Sequence, residues 1–274
     1  MSQFRSPITN AVARQYDLFQ QSLEAIEKDR KYLNYGYTVA GDEPLEERQQ
    51  RLCLEVFGAA GIARDHVVVD VGFGSGEQDF LLARNFDFRR LVGFNISEGQ
   101  VRYASERAGR EQLDHKLTFC LGEAETLPGL EDGSVDRLVA VECAFYFDRP
   151  RFYRRAAQVL KPEGLLVLAD IQLSDRLAFL TRREDLRRVG TVSGNRREWE
   201  RYFRVRSARN INPHTRPGVQ MSVWQILTMA PFGRFTMAQR REWLKMAAYS
   251  QLVAIGLRLG LLTYDLLVFE KTSG

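Results

Sequence analysis

Three glycines at alternate positions could bring the backbone close to a small ligand. Gly72, Gly74 and Gly76 follow a short apolar run that contains the acid Asp70. Glycine permits a tight turn and a close approach that a side chain would prevent. Glu77 stands where the GxGxxG pattern of pyrophosphate binding requires its last glycine. The turn therefore predicts a ligand without a pyrophosphate and argues against a nicotinamide oxidoreductase.

A few side chains could take a proton from a substrate. Glu142 and Asp170 each close an apolar run, and His214 lies in a loop. Carboxylates and imidazoles are common general bases. His66 begins one predicted strand and His115 precedes another, so His214 is the histidine expected beside a ligand. No group of His, Cys, Asp and Glu has metal-ligand spacing, so the sequence predicts no metal site.

Short apolar runs alternate with helical patterns and place these residues at one edge of a sheet. Strands are predicted at 66–72, 90–95, 116–121, 135–142, 164–171, 205–211 and 264–271, and helices at 77–84, 98–109 and 151–160. This alternation predicts a doubly wound α/β sheet with parallel strands. Ligands of such sheets bind at the carboxyl ends of the strands.

Two helical segments lie outside this core. We predict an N-terminal helical cap at 1–60, a core at 61–214, a helical lid at 215–261 and a terminal core strand at 262–274. The lid is rich in apolar and aromatic residues, and these are expected to line a substrate pocket or to pack the cap or a dimer interface. They are Trp224, Ile226, Leu227, Met229, Phe232, Phe235 and Trp243.

Composition excludes several classes of protein. The chain is 45% hydrophobic and 27% charged, which is typical of a folded domain, and its apolar runs are too short for a membrane span. Cys53, Cys120 and Cys143 are scattered, and the first 14 residues lack the apolar core of a signal peptide, so we expect free thiols and a cytoplasmic location. A net charge of +4 does not indicate nucleic acid.

The positive charge is concentrated in one segment. Residues 172–245 hold sixteen Lys and Arg but six Asp and Glu. One interpretation is a solvated helical surface. The other is contact with an anionic substrate or with an acidic membrane face.

Five motifs in order identify a resemblance. The chain resembles the class I methyltransferases that use S-adenosylmethionine (SAM), on the segments VDVGFGSG (69–76), LVGFNIS (91–97), GEAETLP (122–128), SVDRLVAVE (134–142) and VLKPEGLLVLAD (159–170). YLNYGY (32–37) and NINPHTRPG (210–218) are similar to a narrower group of natural-product, sugar and lipid O-methyltransferases and sterol C-methyltransferases. The resemblance implies a Rossmann-like sheet that is mostly parallel, with an antiparallel last strand.

The resemblance also implies the residues that bind SAM. The three glycines would line its methionine part, and Asp70 would orient the turn and the ammonium group. Tyr37 would close over the carboxylate from the N-terminal cap or would anchor that cap to the core. Asn95 stands where the class usually has an acid for the ribose hydroxyls. Gln100 could supplement it or be a plain helix-surface residue. Glu123 and Ala124 would lie beside the adenine, Ile96 and Gly122 would also bind the cofactor, and Glu142 would face methionine or substrate.

The catalytic position departs from the O-methylating relatives. Their stretch after Glu142 carries histidines that can take a proton, whereas this chain has Cys-Ala-Phe-Tyr-Phe at 143–147. Tyr146 is a poor base unless it is ionised. Asp170 matches a carboxylate that the sugar-methylating relatives use near the acceptor, so it could be the base, a hydrogen-bond orienter or a structural carboxylate. His214 is the other candidate base, or else an ordinary loop residue. The three aromatic residues either pack the core or stabilise a positive charge through their π faces.

These observations favour a methyltransferase that acts on a small, largely apolar metabolite such as a natural product, lipid or isoprenoid. O-methylation is favoured. The alternative is isoprenoid C-methylation, with or without cyclisation, in which the aromatic residues stabilise a carbocation and the basic segment holds an anionic group. The sequence leaves open whether the protein is a monomer or a homodimer.

Overall fold

The computed structural model describes residues 6–25, 32–229 and 235–272. Its centre is a seven-stranded sheet in the order β3-β2-β1-β4-β5-β7-β6. The strands are β1 Val67–Val71, β2 Arg90–Asn95, β3 Leu117–Leu121, β4 Val135–Val141, β5 Leu160–Leu173, β6 Phe203–Asn210 and β7 Leu262–Lys271. The order reverses between β1 and β4, which is where ligands of open α/β sheets bind.

Strand direction divides the sheet into two parts. Strands β1 to β5 pair in parallel, whereas β7 is antiparallel to both β5 and β6. Every residue of β1 is buried, because helices cover both faces of a parallel sheet. The predicted Rossmann-like fold with an antiparallel last strand is therefore confirmed.

Nine α-helices are present in the described ranges. They are α1 Pro7–Ala25, α2 Leu45–Ala60, α3 Glu77–Asn85, α4 Glu98–Arg110, α5 Arg149–Val159, α6 Glu184–Val189, α7 Val192–Trp199, α8 Asn212–Met229 and α9 Met237–Arg258. Short 3₁₀ helices occupy Ala144–Tyr146 and Asp175–Arg182. None of these described helices is long and apolar enough to cross a membrane.

The two motifs of the narrower methyltransferase group pack against each other. Gly218 of α8 approaches the carbonyl of Tyr35 so closely that an added Cβ would lie 1.8 Å from that oxygen. The ring of His214 stacks on Tyr37, with centroids 4.2 Å apart. The segment before α2 is therefore fixed to the start of α8.

Candidate active site

A first cavity opens at the carboxyl ends of β1, β2 and β4, beneath α1. Its walls include the predicted residues Gly72, Gly74, Asn95, Ile96, Gln100, Gly122, Ala124, Glu142 and Tyr146. The cap contributes Thr9, Val12, Tyr16, Tyr32, Leu33 and Asn34. The structure thus brings most of the predicted cofactor residues together around one space.

The backbone of the glycine turn adopts positive φ angles, which glycine tolerates best. Gly72, Gly74 and Gly76 have φ of 75°, 61° and 84°, a region that side chains disfavour. A Cβ on Gly74 would lie in open space, 3.8 Å from Leu33. Gly74 therefore keeps the cavity free for a ligand. Gly76 lies outside the cavity walls, and its absent side chain allows α3 to pack on Ala104 instead.

Asp70 lies behind the turn and is not part of the cavity wall. Its carboxylate accepts a hydrogen bond from Gln78 Nε2 and pairs with the carboxyl of Asp79, both acids being fully buried. Burial raises the pKa of Asp70 to about 7. Burial and the neighbouring Asp70 also raise the pKa of Asp79 well above its usual range. The geometry therefore does not place Asp70 against a SAM ammonium directly.

Asn95 and Gln100 form a linked pair of amides in the wall. Asn95 Oδ1 accepts from the backbone N–H of Ser97 at 3.0 Å, so its Nδ2 faces the other way, to the Gly74 carbonyl at 3.2 Å and to Gln100 Oε1 at 2.8 Å. Gln100 Nε2 is left buried without a hydrogen bond to the described residues. Gln100, predicted as a possible surface residue, is 1% exposed.

Glu142 directly follows β4 and lies in the walls of two cavities. It has φ of 53°, which is rare for a residue with a side chain. Its Oε1 accepts hydrogen bonds from the Tyr264 hydroxyl and, at 2.8 Å, from the Tyr35 N–H. Burial raises the pKa of Glu142 to about 8. Oε2 has no hydrogen bond to a described residue, so one oxygen of this carboxyl remains available.

A second cavity adjoins the first under α1, α8 and α9. Tyr16, Tyr32, Leu33, Asn34, Glu142 and Tyr146 line both cavities. The second cavity has about 1010 Å³ of space that no atom fills, including the part open to solvent. Its walls are largely aromatic, with Phe19, Tyr35, Phe145, Phe235, Trp243 and Tyr249.

The lid residues contribute unequally to this second cavity. Ile226, Phe235 and Trp243 lie in its wall. Trp224 and Leu227 do not, and they are 70% and 43% exposed. Phe232 and the side chain of Met229 lie outside the described residues.

The aromatic residues after Glu142 are divided between the cavities. Phe145 faces the second cavity, Phe147 the first, and Tyr146 both. The Tyr146 hydroxyl lies 3.3 Å from that of Tyr16. Burial raises the pKa of Tyr146, which disfavours the ionised form that a base would need.

Asp170 lies outside both cavity walls. It is fully buried and forms a two-point ion pair with Arg149, with distances of 2.6 and 3.2 Å. Arg149 also donates to the Arg188 carbonyl at 2.7 Å and to the Tyr153 hydroxyl at 3.3 Å. The surroundings of Asp170 are those of a structural ion pair, and they do not bring it to an acceptor as the sequence-based expectation requires.

His214 and Tyr37 are likewise outside both walls. His214 Nδ1 lies 2.9 Å from the Thr38 carbonyl, and its ring covers Tyr37. Both residues hold the cap to α8 and do not face the cavities. Glu123 is also outside the walls, although its neighbours Gly122 and Ala124 are part of them.

The described part of the basic segment supplies no charged side chain to the cavity walls. No Lys or Arg among the described residues lines either wall. Several of its arginines are paired elsewhere on the surface, including Arg204 with Glu270 and Arg209 with Glu55. The described part of the segment therefore matches the solvated-surface interpretation. Three or more potential metal ligands do not cluster anywhere in the described ranges.

Some wall residues were not predicted from sequence. Tyr16 of α1 and Gln78 of α3 have no motif that marks them, because their roles depend on how α1 and the Asp70 carboxylate are placed in three dimensions. Tyr32 and Asn34 lie in the YLNYGY motif, which could have indicated them.

Comparison with known proteins agrees with this geometry. A family model described as a methyltransferase domain matches residues 69–168. Erythromycin 3''-O-methyltransferase of Saccharopolyspora erythraea is 40% identical over 158 residues, which is 57% of this chain but only about half (51%) of that protein. The 27-O-demethylrifamycin SV methyltransferase of Amycolatopsis mediterranei is 31% identical over 223 residues, covering 77% of this chain and 80% of the relative. The chain belongs to the SAM-dependent methyltransferases.

A solved structure is similar in fold to nearly the whole of this chain. The [4+2]-cyclase SpnF superimposes with a TM-score of 0.79 over 98% of both chains at 21% identity. At that identity the match supports the fold alone.

SAM is the cofactor, and the first cavity fits it. Gly74 leaves space that a side chain would fill, and Gln100 presents a buried amide nitrogen that lacks a partner among the described residues. An unpaired buried donor is costly unless a ligand satisfies it. Gly72, Gly74, Asn95, Ile96, Gln100, Gly122, Ala124 and Glu142 would hold the cofactor.

Proposed function

We propose that this methyltransferase methylates a hydroxyl group of a small, largely apolar natural product. SAM, when bound, supplies an electrophilic methyl group on its sulfonium. The second cavity binds the acceptor, and the shared wall brings the two reactants together while excluding water. The observation that carries this proposal is the position of Glu142 in the walls of both cavities.

Glu142 is the residue we assign as proton acceptor. Tyr264 and the Tyr35 N–H hold Oε1, which leaves Oε2 to take the proton of the acceptor hydroxyl. A carboxylate with a pKa of about 8 is a stronger base than an exposed one, but Glu142 must first lose the proton that it carries at pH 7. We assign this role to Glu142 in place of Asp170, which pairs with Arg149, and of His214, which stacks on Tyr37.

The cavity chemistry supports an uncharged acceptor. Aromatic rings dominate the second cavity, and no described Lys or Arg faces it. The relatives are named for erythromycin and rifamycin SV, and the first of the two names specifies oxygen as the methylated atom. A hydroxylated natural product of this kind is therefore the acceptor class we favour.

Isoprenoid C-methylation, with or without cyclisation, is the second candidate. The faces of Phe145 and Tyr146 in the second cavity favour it, since aromatic rings stabilise cations. The lack of a described cationic group for a diphosphate weighs against it. The product mass separates cyclisation from methyl transfer, because cyclisation alone adds no methyl group.

Proton linkage tests the assignment of Glu142 without knowledge of the acceptor. At pH 7 most of the free protein carries a protonated Glu142, because its pKa is about 8. A positive sulfonium in the first cavity lowers that pKa, so SAM binding should release a proton. The neutral thioether of S-adenosylhomocysteine should release less. Calorimetry in buffers of different ionisation enthalpy measures the difference between the two ligands.

Glu142→Gln is the decisive variant in that experiment. It keeps the shape of the side chain and cannot titrate, so the difference in proton release between SAM and S-adenosylhomocysteine should disappear. If the variant released protons as the wild type does, Glu142 would not be the titrating group. The cytoplasmic location and the choice between monomer and homodimer stay predictions.

A further inference from the structure

Gln78 is a cavity residue that the methyltransferase motifs do not mark. It is the second residue of α3, is 7% exposed and lies in the wall of the first cavity beside the glycine turn. Its Nε2 donates to Asp70 Oδ2. Its Oε1 has no hydrogen bond to any residue in the described ranges, and it is not enclosed by protein.

The buried acid pair fixes which end of the amide faces the cavity. Asp70 and Asp79 cannot both be ionised at such close range, so they share one proton. Asp70 and Asp79 hydrogen-bond each other, and burial raises both pKa values, that of Asp79 the more strongly, which favours the shared proton on Asp79. Asp70 Oδ2 accepts from Gln78 Nε2. Because the nitrogen is held behind the turn, the oxygen points into the cavity.

The charge behind the turn selects the group that this oxygen meets. The acid pair carries one net negative charge, and no described Lys or Arg lines the first cavity to offset it. Of the hydrogen-bond donors on SAM, the adenine amine and the ribose hydroxyls are neutral, and the amino-acid ammonium is a cation. A cation gains most from an acceptor oxygen backed by a buried carboxylate.

We propose that Gln78 binds the amino-acid ammonium of SAM through Oε1, and that the Asp79–Asp70 pair is the positioning element that holds the amide in this orientation. The proposal rests on SAM binding in the first cavity. It does not depend on the acceptor or on the role of Glu142, so either proposal can fail alone.

The test compares two ligands that differ in the amino acid. S-adenosylhomocysteine carries the ammonium, whereas 5′-methylthioadenosine keeps the adenosine and thioether and lacks the amino acid. Measured by calorimetry, Gln78→Leu should lower the affinity for S-adenosylhomocysteine by about tenfold or more, which is the scale of a charge-assisted hydrogen bond. The same variant should change the affinity for methylthioadenosine by no more than about twofold, because that ligand has no ammonium group.

The acid pair is tested in the same measurement. The new amide in Asp70→Asn can donate a hydrogen bond to Gln78 Oε1. The Gln78 amide should then turn its nitrogen toward the cavity, which should lower the affinity for S-adenosylhomocysteine and leave that for methylthioadenosine unchanged. Added to Gln78→Leu, Asp70→Asn should change the ratio of the two affinities no further. A merely structural role for Asp70 would lower both affinities together.

Two results would overturn the proposal. One is an unchanged affinity for S-adenosylhomocysteine in Gln78→Leu, and the other is an equal loss for both ligands. If Gln78→Leu does not fold, Gln78→Asn serves instead, since it withdraws the oxygen by one methylene while keeping the amide. Failure of the wild type to bind either ligand would refute the cofactor cavity itself.

Discussion

Strain at a single residue marks the centre of the site. A non-glycine residue with φ of 53° costs free energy, and such conformations persist where the surroundings determine them. At Glu142 the determining contacts are the Tyr264 hydroxyl and the Tyr35 N–H. The result is a carboxyl group held between the cofactor cavity and the acceptor cavity with one oxygen free.

Tyr146 separates two interpretations of the aromatic residues. Its ring lines both cavities, whereas its hydroxyl contacts only that of Tyr16 among the described residues. We predict that Tyr146→Ala reduces kcat much more than Tyr146→Phe, because the ring shapes and polarises the site and Glu142 takes the proton. A general base contributes about 10²–10⁴-fold, so the two outcomes are easily distinguished in steady-state kinetics.

The opposite pattern would contradict this account. If Tyr146→Phe abolished turnover while calorimetry showed intact SAM binding, the hydroxyl would be required for proton transfer. Tyr16→Phe is the matched control, since it removes the other hydroxyl of the pair and leaves the Tyr146 ring in place.

Among the elements, α1 closes the first cavity and is held at defined points. Asp17 Oδ1 accepts hydrogen bonds from Ser97 Oγ at 2.6 Å and from the Gly99 N–H at 3.1 Å, at the start of α4. Negative charge is favourable there because of the helix dipole. Arg188 holds the other end of α1 through Ser6, and its second nitrogen binds the Tyr146 carbonyl.

Loss of the Asp17 contact should loosen the cap. We predict that Asp17→Ala speeds hydrogen–deuterium exchange in residues 7–25 and speeds dissociation of S-adenosylhomocysteine, because Thr9, Val12 and Tyr16 cover the first cavity. Glu24→Ala is the control, since the hydrogen bond that Glu24 accepts from a described residue comes from Gln20, which also lies in α1. Equal exchange in the two variants would show that Asp17 does not anchor the helix.

The sequence predicted the elements of the sheet better than the elements around it. Strands β1 to β5 and their helices carry strong apolar patterns, and β7 is marked in the same way. The helices between Asp175 and Trp199 were not predicted, because the first two have no buried residue and therefore no apolar periodicity.

Roles that depend on distant contacts were also beyond the sequence. His214 and Asp170 had the right residue types near the right edge of the sheet. Only the structure shows that His214 stacks on Tyr37 and that Asp170 forms an ion pair with Arg149. Gln100 was interpreted either as a supplement to Asn95 at the ribose or as a plain helix-surface residue, and its burial contradicts the surface alternative.

At the scale of the molecule, the positive charge of the described residues lies away from the walls of the two cavities. The excess of basic residues between 172 and 245 is spread over exposed positions such as the edge strand β6, where charged side chains discourage pairing with another sheet. Among the described residues, the interior beneath α1, α8 and α9 presents aromatic walls and one carboxyl, that of Glu142, to the second cavity. This distribution suits an uncharged acceptor.

The fate of a labelled methyl group tests the central claim most directly. The protein is incubated with SAM labelled in its methyl group and with hydroxylated acceptors such as 27-O-demethylrifamycin SV and erythromycin lacking its 3''-O-methyl group. Mass spectrometry and NMR then locate the label. We predict a labelled methoxy group on an acceptor oxygen, formed about 10²–10⁴-fold more slowly by Glu142→Gln. Label on carbon, an unlabelled rearranged product or full activity of Glu142→Gln would contradict the account.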